Sequence, residues 1–335
     1  LENTTGKNNV AVGYQTLSKN RIGENNTTLG IRTLQNNTSG NNNLTMGYQS
    51  MQKNTIGINN TALGYTVLNK NIDGGFNVAT GFQALFNNIS SSYNTAYGSQ
   101  TLRTNVSGEY NTAIGYQSLF KSTTSNFNTA VGVQSLFKNV SGESNVAFGY
   151  QSLFNNVSGT NNTAIGYKAF LNGNIFQNST ALGANTNITA SNQVRLGNAS
   201  VTSIGGYASW TNVSDGRFKK EVKENIVGLD FIKKLRPVSY RLDMNAIAKF
   251  NKIATQDRDK ETEVQTGFIA QEVEAAAKLV GFDFHGVDAP ENEQSHYGLR
   301  YSEFVVPLVK AVQEQQELIE TQKLELEALK NRLKK

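Results

Sequence analysis

The 335-residue sequence predicts a mainly β fold: a parallel β-roll or solenoid of 17-residue repeats, then a small α+β domain ending in a coiled-coil helix. Three observations carry that expectation. Glycine recurs at 13, 30, 47, 64, 81, 98, 115, 132, 149, 166 and 183, each step being 17 residues. Asparagine precedes the first ten of these glycines by four positions, from Asn9 to Asn162, and a large apolar residue follows them by four, from Leu17 to Phe170. Beyond Val305 the apolar positions step by three and four instead.

The repeat comes first along the chain. Its clearest copy is NTAIGYQSLF at 111–120, followed by a polar connector of the NVSG type. Seventeen residues are too few for two packed helices and their turns. The segments are rich in Thr, Val, Ile, Tyr and Phe, which suit strands, and Asn and Gly punctuate them as turns require. A unit this small cannot bury its apolar side alone, so copies must stack. Parallel strands lie about 4.8 Å apart, so eleven coils make a rod of roughly 50 Å. Identical asparagines then lie above one another and can bond as a ladder. The repeated glycine suits positive φ or close backbone approach. Within NTAIGY, Thr112, Ile114 and Tyr116 alternate with Ala113 and Gly115, and either set can face the interior.

Composition excludes several classes of function. There is no cysteine, hence no disulfide framework, zinc knuckle or thiol nucleophile. Only His285 and His296 offer imidazole, and both read as surface residues; no metal or cofactor is expected. Residues 1–200 hold eleven Lys/Arg and five Asp/Glu, the remainder twenty and twenty-one. The surplus of six forms no cluster, so nucleic acid is not an expected partner. No apolar run approaches the ~18 residues that span a bilayer. The chain opens on Leu1, so a longer natural chain is expected. The Asn-x-Ser/Thr triplets follow from a turn-rich composition, and a threonine ice-binding face is interrupted by Val10, Leu44, Val78 and Val146.

Residues 191–213 break the period and form a connector, with a bend at Gly205-Gly206 and Trp210 as a packing anchor. The segment 226–235 reads as a helix stopped before Pro237, Val238–Leu242 as a strand, and 245–263 as a polar insertion. The stretch 267–282 starts extended and becomes a helix. From Val305 the seam Val305, Leu308, Val312, Gln315, Ile319, Gln322, Leu326, Leu329, Leu333 is a heptad pattern. Its length and charged flanks favour pairing between chains, as two strands or three. The expected boundaries are 1–190 for the rod, 191–213 for the connector, 214–304 for the α+β domain and 305–335 for the helix.

Two resemblances add to this. The core NTAIGYQS is similar to the head repeats of YadA-like trimeric autotransporter adhesins, which implies three chains packed side by side in a left-handed β-roll. The stretches SDGRFKKEV, GFIAQEVE and YGLRYSEFVVPLVKAVQE resemble the intramolecular chaperone domain of phage tailspikes and tail fibres of the endosialidase type. That family trimerises the fibre ahead of it and then cuts itself off. Its nucleophilic serine opens an S-D-x-R-x-K stretch, which maps onto Ser214 and Lys219. Asp215 and Arg217 also match that motif, so the resemblance implies Asp215 in the catalytic group and Val213–Ser214 as the scissile bond, while Arg217 and Lys220 are the expected sources of neighbouring positive charge.

The chemistry is reasonable. A serine hydroxyl needs a base, and lysine serves once burial or neighbouring positive charge keeps it neutral. A spacing of five separates the two side chains on a strand and puts them off-register on a helix; a turn at Asp215-Gly216 brings them together. The lysine can equally come from a neighbouring chain. The expected protein is a homotrimeric fibre, in a virion tail or on a bacterial surface, contacting a host receptor with a glycan among the candidates. It is a single-turnover autoproteolytic peptidase rather than a turnover enzyme. The alternative is a surface adhesin that keeps its C-terminal domain as a stalk.

Overall fold

The structure, a computed structural model, describes residues 2–207, 210–250, 263–293 and 295–334, and divides into two units, Leu1–Ile204 and Gly205–Lys335. Among the described residues the first unit is a parallel β-solenoid of twelve strands, from β1 (Val10–Val12) to β12 (Val194–Leu196), paired strictly in sequence order. The register repeats every turn: Ala113 pairs with Ala130, Ala130 with Ala147 and Ala147 with Ala164. The last step is shorter, with Thr180 opposite Val194, so the ladder runs past 190. Parallel pairing is a backbone property and outlasts the side-chain pattern that marks the repeats.

The small set faces inward. Ala113, Ala130, Ala147 and Ala164 are fully buried, as are Leu102, Leu119, Leu136 and Leu153, while Ile114, Tyr116, Phe148 and Tyr150 stay exposed. A narrow coil has room for one column of alanine and one of leucine, so the bulkier residues of each strand go outside. The glycine ladder lies where neighbouring backbones touch. Gly115 has φ +118°, and a Cβ there would meet Gly132 O at 2.7 Å.

Two asparagine ladders run up the interior. In the expected one, Asn111 N–H and Nδ2–H both donate to Asn94 Oδ1, at 3.0 and 3.2 Å, and Asn128 does the same to Asn111. The second was not read from the sequence: Asn37 Nδ2 donates to Asn20 Oδ1 at 2.8 Å, Asn71 to Asn54 at 2.7 Å, and so on up to Asn105 on Asn88. These side chains bond their own turns' carbonyl groups as well, so buried amides are satisfied rung by rung.

One rung of the second ladder is missing. Ser122 stands where asparagine is due, its Oγ is 2.5 Å from Ser125 Oγ, and Asn105 Oδ1 is buried without a partner. Asn88 and Ser91 occupy the same two places in an earlier turn, where Asn88 Nδ2 donates to the Ser91 carbonyl at 3.0 Å. Ser122→Asn is therefore expected to complete the ladder and raise stability by about 1 kcal/mol, read as a shift in the guanidinium midpoint.

The second unit has its own small core of Phe231, Val273, Ala276, Ala277 and Phe304, ringed by Phe268, Phe282 and Phe284. Its elements are helices α1 (Leu229–Ile232), α2 (Met244–Phe250), α3 (Ala270–Leu279) and α4 (Val305–Leu333), with two short antiparallel pairs: β13 (Val238–Tyr240) on β14 (Gln265–Gly267), and β15 (Val287–Asp288) on β16 (Gly298–Leu299). The helix expected over 226–235 shrinks to α1. Gly228 precedes it in a non-helical conformation, and Lys234 and Leu235 donate to Phe231 and Ile232 in tighter turns that end it before Pro237. Helix α2 replaces the start of the polar insertion, capped by Asp243, whose Oδ1 accepts from Ala246 N–H at 2.9 Å. Residues 251–262 of that expected insertion lie outside the described residues. Trp210 is 86% exposed.

Helix α4 shows two faces. Phe304, Pro307 and Ala311 are buried against the domain, and Glu314 Oε2 accepts from Leu229 N–H at 2.7 Å. One position round, the heptad residues Val305, Leu308, Val312, Ile319, Leu326, Leu329 and Leu333 are all exposed.

Candidate functional site

The serine and lysine singled out by sequence meet in the structure. A single 3₁₀ turn, Gly216–Phe218, separates them, closed by Phe218 N–H to Asp215 O at 3.1 Å and Lys219 N–H to Gly216 O at 3.2 Å. This turn reverses the chain within five residues, which neither a strand nor an α-helix does, and Lys219 Nζ donates to Ser214 Oγ at 2.9 Å. The contact is made within one chain.

Asp215 builds the turn. Its Oδ1 accepts from Arg217 N–H at 2.9 Å, as an N-cap side chain does, and its Oδ2 takes Arg217 Nη2 at 2.6 Å and Nε at 3.0 Å. The hydrogen bonds from Arg217 hold the Asp215 carboxyl below the usual carboxylate range and raise the guanidinium in turn. This changes the expected role of Arg217. Its charge is paired with Asp215 instead of lying free beside Lys219. Lys220 is exposed and makes no hydrogen bond or ion pair among the described residues. Ser214, Lys219 and the preceding Val213 are exposed as well. His285 Nδ1 lies 3.5 Å from Glu303 Oε2 and His296 Nδ1 sits 3.1 Å from Tyr297 O, so neither is bonded to the pair. Among the described residues no His, Asp and Glu cluster is arranged to hold a metal, and no helix is long and apolar enough to cross a membrane.

That turn begins where a known family begins. Residues 214–286 match the family model for the chaperone of endosialidase. The C-terminal unit therefore carries a chaperone-of-endosialidase domain whose first residue is Ser214. The match covers α1 to α3 and stops ahead of α4. No curated protein and no solved structure matches the chain. In sequence the chaperone match follows the β-solenoid after the intervening residues 197–213. The likeness of the solenoid repeats to adhesin heads rests on their sequence alone.

A groove of about 440 Å³ lies within this unit, between the segment just after the pair (Lys223, Glu224, Ile226) and the start of α4 (Val305, Val306, Val309). Sequence reasoning did not find it. It lies between the irregular segment that follows the Ser–Lys turn and the first turns of α4, where Val305 opens the heptad seam.

Proposed function

We propose that the chain is one subunit of a trimeric, tailspike-like fibre whose chaperone domain gathers three solenoids and then frees itself at Val213–Ser214. The observation that carries this reading is the 2.9 Å contact between Lys219 Nζ and Ser214 Oγ at the first residue of the chaperone match.

The proposed chemistry balances within one chain. Neutral Lys219 accepts the Ser214 hydroxyl proton, reversing the hydrogen bond it donates as an ammonium. Ser214 Oγ attacks the Val213 carbonyl carbon, the C–N bond breaks, and the Ser214 nitrogen takes the proton back from Lys219. Water then hydrolyses the ester, leaving a Val213 carboxylate and a free Ser214 amine. Ser214 and Lys219 are both exposed in the single chain. The groove beside α4 gives a neighbouring helix a place to settle and shield the pair, which would delay cutting until assembly. The alternative arrangement, with a partner's lysine acting on Ser214, has less support because the chain's own lysine already reaches.

Assembly is supported by two exposed apolar surfaces. Along the solenoid, Leu29, Met46, Ile114, Phe148 and Ile165 continue one outward column, far more than a monomer ordinarily leaves in water. On α4 the whole heptad seam is bare. The chaperone family supports three chains over two, and a virion tail or another extracellular setting as the place. The fibre's receptor is the partner that remains, and binding it needs no turnover.

The test has two arms. On a denaturing gel the chain separates into residues 1–213 and 214–335; a chain that stays whole sinks the cleavage reading. In the uncleaved Ser214→Ala background, light scattering is expected to give a trimer, and Ile319→Asp, which sets an unpaired charge in the seam, a monomer. A monomer for Ser214→Ala itself sinks the assembly reading.

A further inference from the structure

Four consecutive turns of the solenoid break the local rules of the fold at one corner. The residue before each ladder asparagine has φ near +58°, the left-handed region. Asparagine occupies this corner at Asn8, Asn25, Asn42, Asn59, Asn161 and Asn178, as suits a residue that tolerates left-handed backbone. Between them stand Phe76, Tyr93, Tyr110 and Phe127, with φ of 58 to 62°, and then Ser144 with φ 56°. Aromatic residues gain nothing from that backbone, and each such placement is strained. Nothing in the interior requires them, because the rings point outward and are 45–56% exposed.

The rings form a continuous ladder, with centroids 5.0, 4.9 and 5.2 Å apart and planes within 10° of parallel. Flat contact needs about 3.5–4.0 Å between planes, so rings this far apart are offset and leave part of a face open beside the outer edge. The residues one position earlier in these four turns are Gly75, Ser92, Glu109 and Asn126, and the row continues to Glu143, which precedes Ser144 in the next turn. Asn126 Oδ1 accepts from Glu109 N–H at 2.8 Å and Asn126 Nδ2 donates to Glu143 Oε1 at 2.9 Å, which fixes the row. The Glu109 carboxylate has no side-chain partner among the described residues.

We propose that this corner binds an extended polysaccharide that is neutral or carries amino groups. A polysaccharide presents the same alternation as the corner: apolar C–H faces for the rings and hydroxyl donors for the carboxylates and amide, repeated at a comparable interval along its length. The sheet face proposed as the trimer contact sets its apolar column beside uncharged residues such as Thr112, Thr129 and Val146, whereas this strip carries carboxylates, which fits a hydroxylated chain better than another protein copy. Glu109 and Glu143 set the charge preference, repelling uronic and other acidic chains and attracting amines. The strip is rigid, held by the solenoid backbone, so binding orders little that was free. The inference stands apart from cleavage and trimerisation and needs neither.

The strain itself supplies a clean variant. Tyr93→Asn with Tyr110→Asn installs the residue that other turns carry, so folding is expected to be kept or improved. Full-length Ser214→Ala protein is titrated by calorimetry with cellohexaose, chitosan hexamer and hexagalacturonate. Binding of either of the first two, absence of hexagalacturonate binding, and a loss of at least about tenfold in the double variant at an unchanged unfolding midpoint support the proposal. No binding by the unsubstituted protein, equal binding by the double variant, or equal binding of hexagalacturonate overturns it. So does dissociation of the oligomer by the double variant, which would make the strip a contact between copies.

Discussion

Ser214→Ala is expected to leave a single full-length band where the unsubstituted chain gives two. The effect is all or none because only one atom can form the ester: replacing Oγ by hydrogen removes the bond-forming partner of the Val213 carbonyl. Lys219→Met keeps the length and apolar stem of the side chain and removes the base, which slows cleavage by about 10²–10⁴-fold. Intact-mass measurement gives a second signature, since the two pieces together exceed the parent by one water. Asp215→Asn tests the scaffold separately from the chemistry. The carboxyl is held low by Arg217, so its contribution to the turn is present above its unfolded value and is lost only as pH falls through the lower folded one. Across neutral pH the turn is therefore set. Asp215→Asn, which weakens it at every pH, is expected to slow cutting less than Lys219→Met does. Cleavage by Ser214→Ala at the unsubstituted rate would eliminate Ser214 as the nucleophile.

Much of this could be read from the sequence, for particular reasons. The Gly13-to-Gly183 period fixed the turn length, and the coils follow it rung by rung because identical side chains must satisfy one another. The phase of Thr112, Ala113 and Ile114 was open, since strand alternation says which residues share a face but not which face has room. The second asparagine ladder was missed because Asn37, Asn54 and Asn71 look like ordinary connector residues; their signal was an offset of seven from the repeat glycines, kept from Gly13 to Gly98 and again at Gly132 and Gly149. The aromatic corner was missed because propensity offers no reason for Phe76 or Tyr93 to adopt positive φ, and only the closed coil imposes it. The Ser214–Lys219 pair was legible only as a motif. Five residues of spacing fit neither regular element, and the meeting depends on a 3₁₀ turn shaped by an ion pair between Asp215 and Arg217. The heptads of α4 were legible throughout, and the helix buries the neighbouring stripe instead.

Gly132→Ala is expected to damage the rod severely. At φ +129° an alanine is strained wherever it stands, and its Cβ would lie 2.5 Å from Gly149 O and 2.7 Å from Gly149 C in the next coil. Neither atom belongs to a flexible side chain, so two turns must move apart, at about 3 kcal/mol or more per chain. Gly206→Ala is the matched control, because nothing lies within 4 Å of a Cβ there and no change in stability is expected. Position matters as much as contact. A solenoid's stability is close to a sum over turns and the interfaces between them. A lesion at Gly13 frays one terminal coil, whereas one at Gly132 separates the coils before it from those after it and lets each part unfold alone. The check is guanidinium unfolding followed by far-UV circular dichroism, or the half-life at fixed temperature if unfolding is irreversible. Gly132→Ala should lower the midpoint and broaden the transition, Gly13→Ala should remove a small leading step, and an unbroadened curve for Gly132→Ala would mean that the coils do not depend on their glycine contacts.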